Sequence, residues 1–196
     1  FIIDSYLINA VLLKVFAKVN PIKFFKKILP AQIVAFSTQS SAGTLPVATE
    51  ILTDKIGVSG KVANVTTPLG TTIGMPGCAG IWPILVSLYG IYGLGINFSL
   101  TDYITLVVVA LFVSFGTAGV PGTATVTTAS VLTVMGLPLE LIVLTIPISA
   151  LADTGRTATN ITGAMVSATI VARQEDSLDD EIFEKEDEEE NKAVTA

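Results

Sequence analysis

Long apolar stretches without a single charged residue dominate the chain. Residues 62–101 and 103–139 contain no Asp, Glu, Lys or Arg. Each stretch exceeds the roughly 20 apolar residues that a helix needs to cross a bilayer. Residues 1–19 form a further, mostly apolar segment, which we interpret as the end of a transmembrane helix. The pattern predicts an all-α membrane protein.

Two apolar segments are too short to cross the bilayer, and each ends in turn-forming residues. Residues 28–38 would form about 16 Å of helix at about 1.5 Å per residue, against a hydrocarbon core of about 30 Å. They run into the small, polar and helix-breaking stretch 39–46, after which residues 47–56 return. The same order recurs in residues 102–114, 115–122 and 123–135. We therefore predict two re-entrant helical hairpins, whose irregular tips lie against protein or a water-filled cavity.

One long apolar segment follows each predicted hairpin. The first, residues 62–91, is interrupted by Pro and Gly at Pro68, Gly70, Gly74, Pro76, Gly77 and Gly80. The second, residues 141–171, carries Asp153 and Arg156 near its middle. Hairpin and helix thus occur twice in the chain. This is the inverted-repeat organisation of many secondary transporters, whose binding site lies where the repeats meet.

The distribution of charge predicts the orientation in the membrane. Five lysines and no acid surround the end of the first helix, at Lys14, Lys18, Lys23, Lys26 and Lys27. Such clusters face the cytoplasm, and Arg173 after the last apolar stretch agrees with a cytoplasmic C-terminus. The acidic run 186–190 has no apolar periodicity, so the tail is predicted to be disordered. Because the chain opens with Phe1 inside an apolar run, we expect the C-terminal part of a longer, multi-pass plasma-membrane protein.

Composition narrows the classes of function. Hydrophobic residues make up 51% of the chain and charged residues 14%, whereas soluble domains carry about a quarter charged residues. The chain has no His and one Cys, which excludes a Ser–His–Asp or Cys–His nucleophile, a histidine metal site and an internal disulfide. Nucleic-acid binding is disfavoured because no basic stripe with interleaved aromatic residues is present. We therefore do not expect an enzyme.

Four polar residues of the last apolar segment have a spacing that places them on one helix face: Asp153, Arg156, Thr157 and Asn160. A charge at bilayer depth costs on the order of 3 kcal/mol or more, so it faces a polar cavity or a partner. One hypothesis is an internal ion pair with a structural role. The other is a site for a zwitterion, in which Asp153 binds an ammonium group and Arg156 donates to an anionic or polar group. Hydroxyls of Ser40 and Ser41 and free backbone N–H groups at the hairpin tips would complete that site.

Three motifs together carry a resemblance to a known family. They are Ser41-Ala42-Gly43-Thr44-Leu45-Pro46, Gly116-Thr117-Ala118-Gly119-Val120-Pro121-Gly122 and Asp153-Thr154-Gly155-Arg156-Thr157-Ala158-Thr159-Asn160. In this order they resemble the C-terminal core of the dicarboxylate/amino acid:cation symporters, the glutamate-transporter homologues, over about residues 1–173. The resemblance implies a homotrimer in the lipid bilayer, with alternating access and hairpin 2 as the gate.

The resemblance also divides the chain into functional segments. These are the helix end at 1–19, a cytoplasmic basic loop with hairpin 1 at 20–61, the unwound helix and a loop at 62–101, hairpin 2 at 102–138, the substrate-binding helix at 139–173, and the acidic tail at 174–196. It implies substrate contacts for Ser41, Val120, Asp153, Arg156, Thr157 and Asn160. It implies a sodium site, made mostly of backbone carbonyls, at Thr72, Ser114, Phe115 and Thr117. Beyond this coupling ion, no cofactor is implied.

Departures from the family pattern refine the prediction. Pro76 and Ala164 stand where cation-binding carboxylates are expected, so coupling to one sodium or to protons is favoured over three sodium ions. Cys78 replaces a Thr expected near an acidic substrate side chain, and Gly77-Cys78-Ala79-Gly80 is similar to the cystine-uptake branch. We therefore predict import of L-cystine or a related amino acid, with Cys78 among the substrate contacts.

Four alternatives stay open. One is a symporter for glutamate or aspartate. An ion channel with two pore hairpins is a second, although opposite charges side by side do not make a selective ion pathway. A third is an intramembrane enzyme that uses Ser40 or Ser41 without a His. The last is a folded transport core that is inactive by itself.

Overall fold

The computed structural model describes residues 1–73, 75–116 and 122–185, and the regular structure in these ranges is helical, apart from one isolated bridge between Val58 and Leu178. Helix α1 joins the π-helical segments Ile3–Ile8 and Leu13–Ala17 through Asn9–Leu12. The next helices are α2 (Pro21–Thr38), α3 (Ser41–Ile51, continued by π-helical Leu52–Ile56), α4 (Gly60–Gly70) and α5 (Trp82–Gly93, preceded by π-helical Pro76–Ile81). The chain continues with α6 (Leu100–Phe115), α7 (Thr123–Val134), α8 (Glu140–Gln174) and α9 (Asp180–Glu184). The prediction of an all-helical fold is confirmed.

The first predicted hairpin corresponds to α2 and α3, which pack against each other. The side chain of Asn20 accepts the backbone N–H of Ile22 at 3.0 Å, and Pro21 occupies the first turn, so the helix begins well before the apolar run 28–38. The lysine-rich stretch predicted as a loop is therefore helical from Pro21 onward. Gln39 ends α2 in the left-handed region (φ 53), and Ser40 caps the start of α3.

The second predicted hairpin corresponds to α6 and α7, which also pack together. Helix α6 begins with a capping box, in which Ser99 and Asp102 each bind the other's backbone N–H. Residues 117–121 at the turn lie outside the described residues, and so do the predicted contacts Thr117 and Val120. The position of both helix pairs in a membrane, and their inverted-repeat relation, stay predictions.

The helix predicted over residues 62–91 is interrupted between α4 and α5, where its proline and glycine residues predicted a break. We call α4, the π-helical segment Pro76–Ile81 and α5 together the broken helix. Helix α4 ends at Gly70, and helical structure resumes at Pro76 after extended backbone at Met75 (ψ 100). The break lies against α8 at very short range. A Cβ on Gly70 would come within 2.9 Å of the Ala164 Cβ, so only glycine allows this approach.

Helix α8 organises the packing of the molecule. Its C-terminal half contributes to an apolar cluster with α1 to α4, while its first turn joins a second cluster with α5, α6 and α7. Judged by length and composition, α8 is long and apolar enough to cross a membrane, and within the described ranges it is the one helix that is. Helices α6 and α7 are apolar but shorter.

The beginning of the acidic tail is structured, which corrects the prediction of disorder for residues 174–185. We call residues 175–185 the C-terminal strap. Phe183 in this strap is buried, with the ammonium groups of Lys23 and Lys27 at 5.7 and 5.4 Å from its ring centroid. The acidic composition suggested a solvated segment, but a single aromatic anchor over two basic side chains orders it. The run 186–190, also predicted to be disordered, lies outside the described residues.

Hydrogen bonds to backbone carbonyls attach the strap to α2 and to the segment that follows α3. Lys27 is buried, and its Nζ donates to the carbonyl oxygens of Lys55 (2.8 Å), Lys185 (3.1 Å) and Ile182 (3.3 Å). The Asp179 N–H donates to the Gly57 carbonyl at 2.8 Å. The strap therefore connects the end of α8 to the first half of α2 and to the segment at the end of α3.

Candidate functional site

A cavity of about 270 Å³ lies between the α2–α3 turn, the broken helix, the start of α7 and the middle of α8. Seven of the eight predicted substrate contacts line it: Ser40, Ser41, Cys78, Asp153, Arg156, Thr157 and Asn160. The eighth, Val120, lies outside the described residues. The other lining residues are Gln39, Met75, Gly122, Thr123, Ala124, Thr125, Ile146, Ser149 and Ala150. Residues far apart in the sequence thus form one site, while their role in binding a substrate stays a prediction.

Asp153 and Arg156 form an ion pair on α8. Arg156 donates from Nη2 and Nε to the same carboxylate oxygen, Oδ1 of Asp153, at 2.9 and 3.2 Å. The arginine side chain is 3% exposed and the aspartate side chain 34%. In the described part of the structure no hydrogen bond is made to Oδ2 of Asp153. That oxygen is therefore able to accept a donor from a molecule in the cavity.

Two residues that sequence analysis did not single out hold the guanidinium group. Ser149 accepts from Nη1 of Arg156 with its Oγ (3.1 Å) and from Nη2 with its carbonyl oxygen (3.0 Å). The Trp82 ring lies 4.6 Å from Cζ of Arg156, a cation–π distance. Ser149 was detectable from the sequence, because it precedes Asp153 by one helical turn on the same face. Trp82 comes from another helix, and no local pattern indicates its contact.

Asn160 connects α8 to the broken helix. Its Oδ1 accepts the N–H of Gly77 at 2.8 Å, and its Nδ2 donates to the sulfur of Cys78 at 3.2 Å. Thr127 on α7, also absent from the predicted set, donates its hydroxyl to the Cys78 carbonyl at 3.0 Å. Thr157 donates to the Asp153 carbonyl at 2.9 Å, within α8. The π-helical segment Pro76–Ile81, which follows the break, is therefore held by α8 and by α7.

Two helices begin at the cavity. Ser41 opens α3 and Thr123 opens α7, and both residues line the cavity. Ser40 caps α3 by accepting the N–H of Gly43 at 3.0 Å. Helix starts carry partial positive charge from their backbone N–H groups, which favours a carboxylate nearby. The cavity thus has a negative carboxylate on α8 and positive helix ends on the other side.

Of the predicted cation contacts, the three that the structure describes, Thr72, Ser114 and Phe115, do not line this cavity. Thr72 donates its hydroxyl to the Pro68 carbonyl, and Ser114 donates to Leu111, each within its own stretch of chain. Phe115 is exposed, and Thr117 lies outside the described residues. Among residues 1–73, 75–116 and 122–185 there is no group of three or more Asp, Glu, Cys or His that could hold a metal ion. The sodium site stays a prediction.

The two positions at which the resemblance leads us to expect carboxylates differ in burial. Ala164 is buried, and a Cβ added to Gly70 would come within 2.9 Å of its Cβ, so α4 and α8 are in close contact there. Pro76 is partly buried and lies near α8, since a Cβ added to Gly163 would be 3.7 Å from its Cγ.

Comparison with known proteins identifies the family. Residues 2–174 match the sodium:dicarboxylate symporter family. A protein named uncharacterized symporter, from Haemophilus influenzae, is 43% identical over 180 residues, which cover 88% of this chain and 41% of that protein. The L-cystine uptake protein TcyP of Bacillus cereus is 36% identical over 194 residues (95% and 42%), and that of Shouchella clausii 38% over 165 residues (84% and 35%). The chain thus spans less than half the length of these relatives. The chain belongs to the sodium:dicarboxylate symporter family.

Proposed function

We propose that this chain forms the translocating core of a plasma-membrane symporter that imports L-cystine or a related amino acid whose side chain has no net charge. The observation that carries the proposal is the cavity, which is lined both by Asp153 and by the starts of α3 and α7; among the described residues, Oδ2 of Asp153 accepts no hydrogen bond. An amino acid has an ammonium group that can bind the Asp153 carboxylate and a carboxylate that can bind the N–H groups at the starts of α3 and α7. The volume, about 270 Å³, lies near the lower end of ligand cavities, as suits a small substrate.

The state of Arg156 supports a substrate side chain without net charge, such as the distal half of L-cystine, which carries one ammonium and one carboxylate group. An acidic side chain is bound best by a guanidinium that offers two parallel N–H groups. Here Asp153 and Ser149 already accept from all three nitrogens of Arg156, and the side chain is almost fully buried. Two relatives named L-cystine uptake protein agree with this preference.

A cation supplies the driving force in this proposal. Sodium or protons bind together with the amino acid, and their higher affinity for the closed form shifts the equilibrium between open and closed states. The α6–α7 pair is the gate over the cavity, and three copies of the full-length protein form the transporter. Arg173 and the lysines of α2 mark the cytoplasmic side, so the C-terminus is cytoplasmic.

A dicarboxylate is the second candidate substrate. Arg156 borders the cavity, and its pairing with Asp153 would have to open before the guanidinium reached a substrate side chain. The family is named for the symport of sodium and dicarboxylates, which agrees with this candidate. A direct comparison of substrates separates the two.

The test is uptake by the full-length protein in proteoliposomes. Labelled L-cystine, aspartate and glutamate are compared under sodium and proton gradients imposed separately. We expect saturable uptake of cystine, driven by one of the two gradients, and little uptake of either acid. Asp153→Asn should abolish uptake, because an amide is a far weaker partner for an ammonium group. Asp54→Asn, which changes an exposed acid away from the cavity, is the matched control.

Two results would contradict the proposal. Uptake of cystine by Asp153→Asn with unchanged KM would remove the role given to this carboxylate. Uptake of aspartate or glutamate in preference to cystine would select the dicarboxylate candidate.

A further inference from the structure

Ser149 and Trp82 enclose the Arg156 side chain, and we call these two residues the arginine cradle. A guanidinium has five N–H groups. Four of them are used here: one on Nε and one of the two on Nη2 by Asp153, the other on Nη2 by the Ser149 carbonyl, and one on Nη1 by the Ser149 hydroxyl. Trp82 covers one face of the group at 4.6 Å. One N–H remains, which is too few for a two-pronged bond to a carboxylate.

The cradle is itself held in place. Trp82 is 7% exposed and belongs to the apolar cluster of α5, α6 and α7. The carbonyl of Ser149 belongs to the α8 backbone and cannot turn away. Arg156 therefore has its donors directed along α8, while Asp153 lines the cavity and, within the described residues, keeps Oδ2 without a hydrogen bond.

We propose that the arginine cradle determines the substrate preference of this transporter by holding Arg156 on Asp153 and away from the substrate side chain. Arg156 is then a positioning residue, which keeps the Asp153 carboxylate oriented for the ammonium group. Weakening the cradle frees the guanidinium to turn into the cavity, where it binds an acidic side chain. The inference rests on the proposed function and names the feature that sets its substrate class.

The experiment measures KM for cystine and for aspartate in the full-length protein in proteoliposomes. Ser149→Ala removes the hydroxyl acceptor but keeps the carbonyl. We expect the ratio of aspartate affinity to cystine affinity to rise about tenfold, the value of one hydrogen bond to a charged group. Trp82→Leu should raise the ratio in the same direction, and Trp82→Phe by less, because phenylalanine retains an aromatic face.

Two further variants separate positioning from a general structural role. Ser149→Thr retains the hydroxyl and should restore the wild-type ratio. Ser130→Ala is the matched control, because its hydroxyl donates only to the Val126 carbonyl on α7, and the residue does not line the cavity. A loss of folding would lower Vmax for both substrates without changing the ratio of their KM values.

The outcomes distinguish this inference from the proposed function. If wild-type protein imports cystine and the ratio rises in Ser149→Ala and Trp82→Leu, the cradle is supported. If wild-type protein imports cystine and the ratio stays constant in both variants, the cradle is wrong and the proposed function stands. Should Ser149→Ala fail to fold, the two Trp82 variants decide by the same ratio. If wild-type protein prefers aspartate, both proposals are wrong.

Discussion

The backbone N–H of Gly77 donates a 2.8 Å hydrogen bond to Oδ1 of Asn160, and this bond attaches the broken helix to α8 beside the cavity. The two backbones meet so closely that a Cβ on Gly77 would lie 2.8 Å from Cα of Arg156. Arg156, which forms the ion pair, and Gly77, which lies just after the break between α4 and α5, are therefore in direct backbone contact. The packing of this contact sets the shape of the site.

Replacing Gly77 by alanine should deform the site. The added methyl group meets the α8 backbone, which cannot move aside as a flexible side chain would. We expect Gly77→Ala to lower stability by about 1–3 kcal/mol, the usual cost of overpacking, and to abolish uptake. The matched control is Gly80→Ala in the same π-helical segment, where an added Cβ meets nothing within 4 Å. Thermal denaturation of the full-length protein in detergent checks both; equal midpoints for the two variants would contradict the prediction.

Removing the Asn160 side chain should release the π-helical segment Pro76–Ile81, which follows the break. Asn160→Ala leaves the buried N–H of Gly77 without its acceptor, at a cost of about 1–3 kcal/mol. Asn160→Asp keeps that acceptor but loses the donor to Cys78, so we expect an intermediate loss. Asn64→Ala, at an exposed asparagine that donates to Gly60 within α4, should change little. Thiol labelling of Cys78 measures the release, and labelling at the wild-type rate in Asn160→Ala would refute it.

Phe183 should anchor the C-terminal strap. Its ring is buried beside Lys23 and Lys27, so Phe183→Ala removes the contact that orders the acidic segment. We expect a local loss of about 3–5 kcal/mol, seen as faster hydrogen exchange in the strap and in residues 52–58. Glu181→Ala, which changes an exposed side chain of the same short helix, is the control. Unchanged exchange in Phe183→Ala would show that the hydrogen bonds and ion pairs of the strap hold it without this ring.

Docking of the strap should weaken in acid. A hydrogen bond from Arg173 lowers the pKa of Asp180 below its ordinary value. Since the docked form has the lower pKa, the ionised carboxylate favours docking above the ordinary carboxyl range, and this contribution is lost as the pH falls through the lowered pKa. Solvent exposure keeps the effect small. The stability difference between wild type and Asp180→Asn, measured by thermal denaturation from neutral pH to about pH 3, should narrow as the pH falls. A constant difference would contradict the assignment.

Local patterns predicted much of the candidate site. Asp153, Arg156, Thr157 and Asn160 share a face because the helical period is a property of the sequence, and the structure places all four at the cavity. The break before Pro76 was predictable for a similar reason, since proline and glycine act on their own backbone. Boundaries were less predictable: the capping side chain of Asn20 extends α2 through a charged stretch that hydropathy assigns to a loop.

Contacts between distant segments were outside the reach of those patterns. Trp82 meets Arg156 only because α5 packs beside α8, and the bond from Gly77 to Asn160 spans 83 positions of the chain. The strap is a similar case. Its composition is that of a solvated tail, and only the pocket formed by the base of α2 and the end of α3 orders it around Phe183.

The sequence by itself determined the helical class, the positions of the chain breaks and the polar face of α8, because each depends on residues within a few turns of one another. The tertiary structure decided what that face does. It alone shows that Arg156 donates to Asp153 and Ser149 while the Trp82 ring covers the guanidinium. Among the described residues, it leaves Oδ2 of Asp153 without a hydrogen bond. The physical reason is that the acceptors of Arg156 lie on its own helix, whereas the ring that covers the guanidinium comes from α5, whose position beside α8 depends on the packing of the whole molecule.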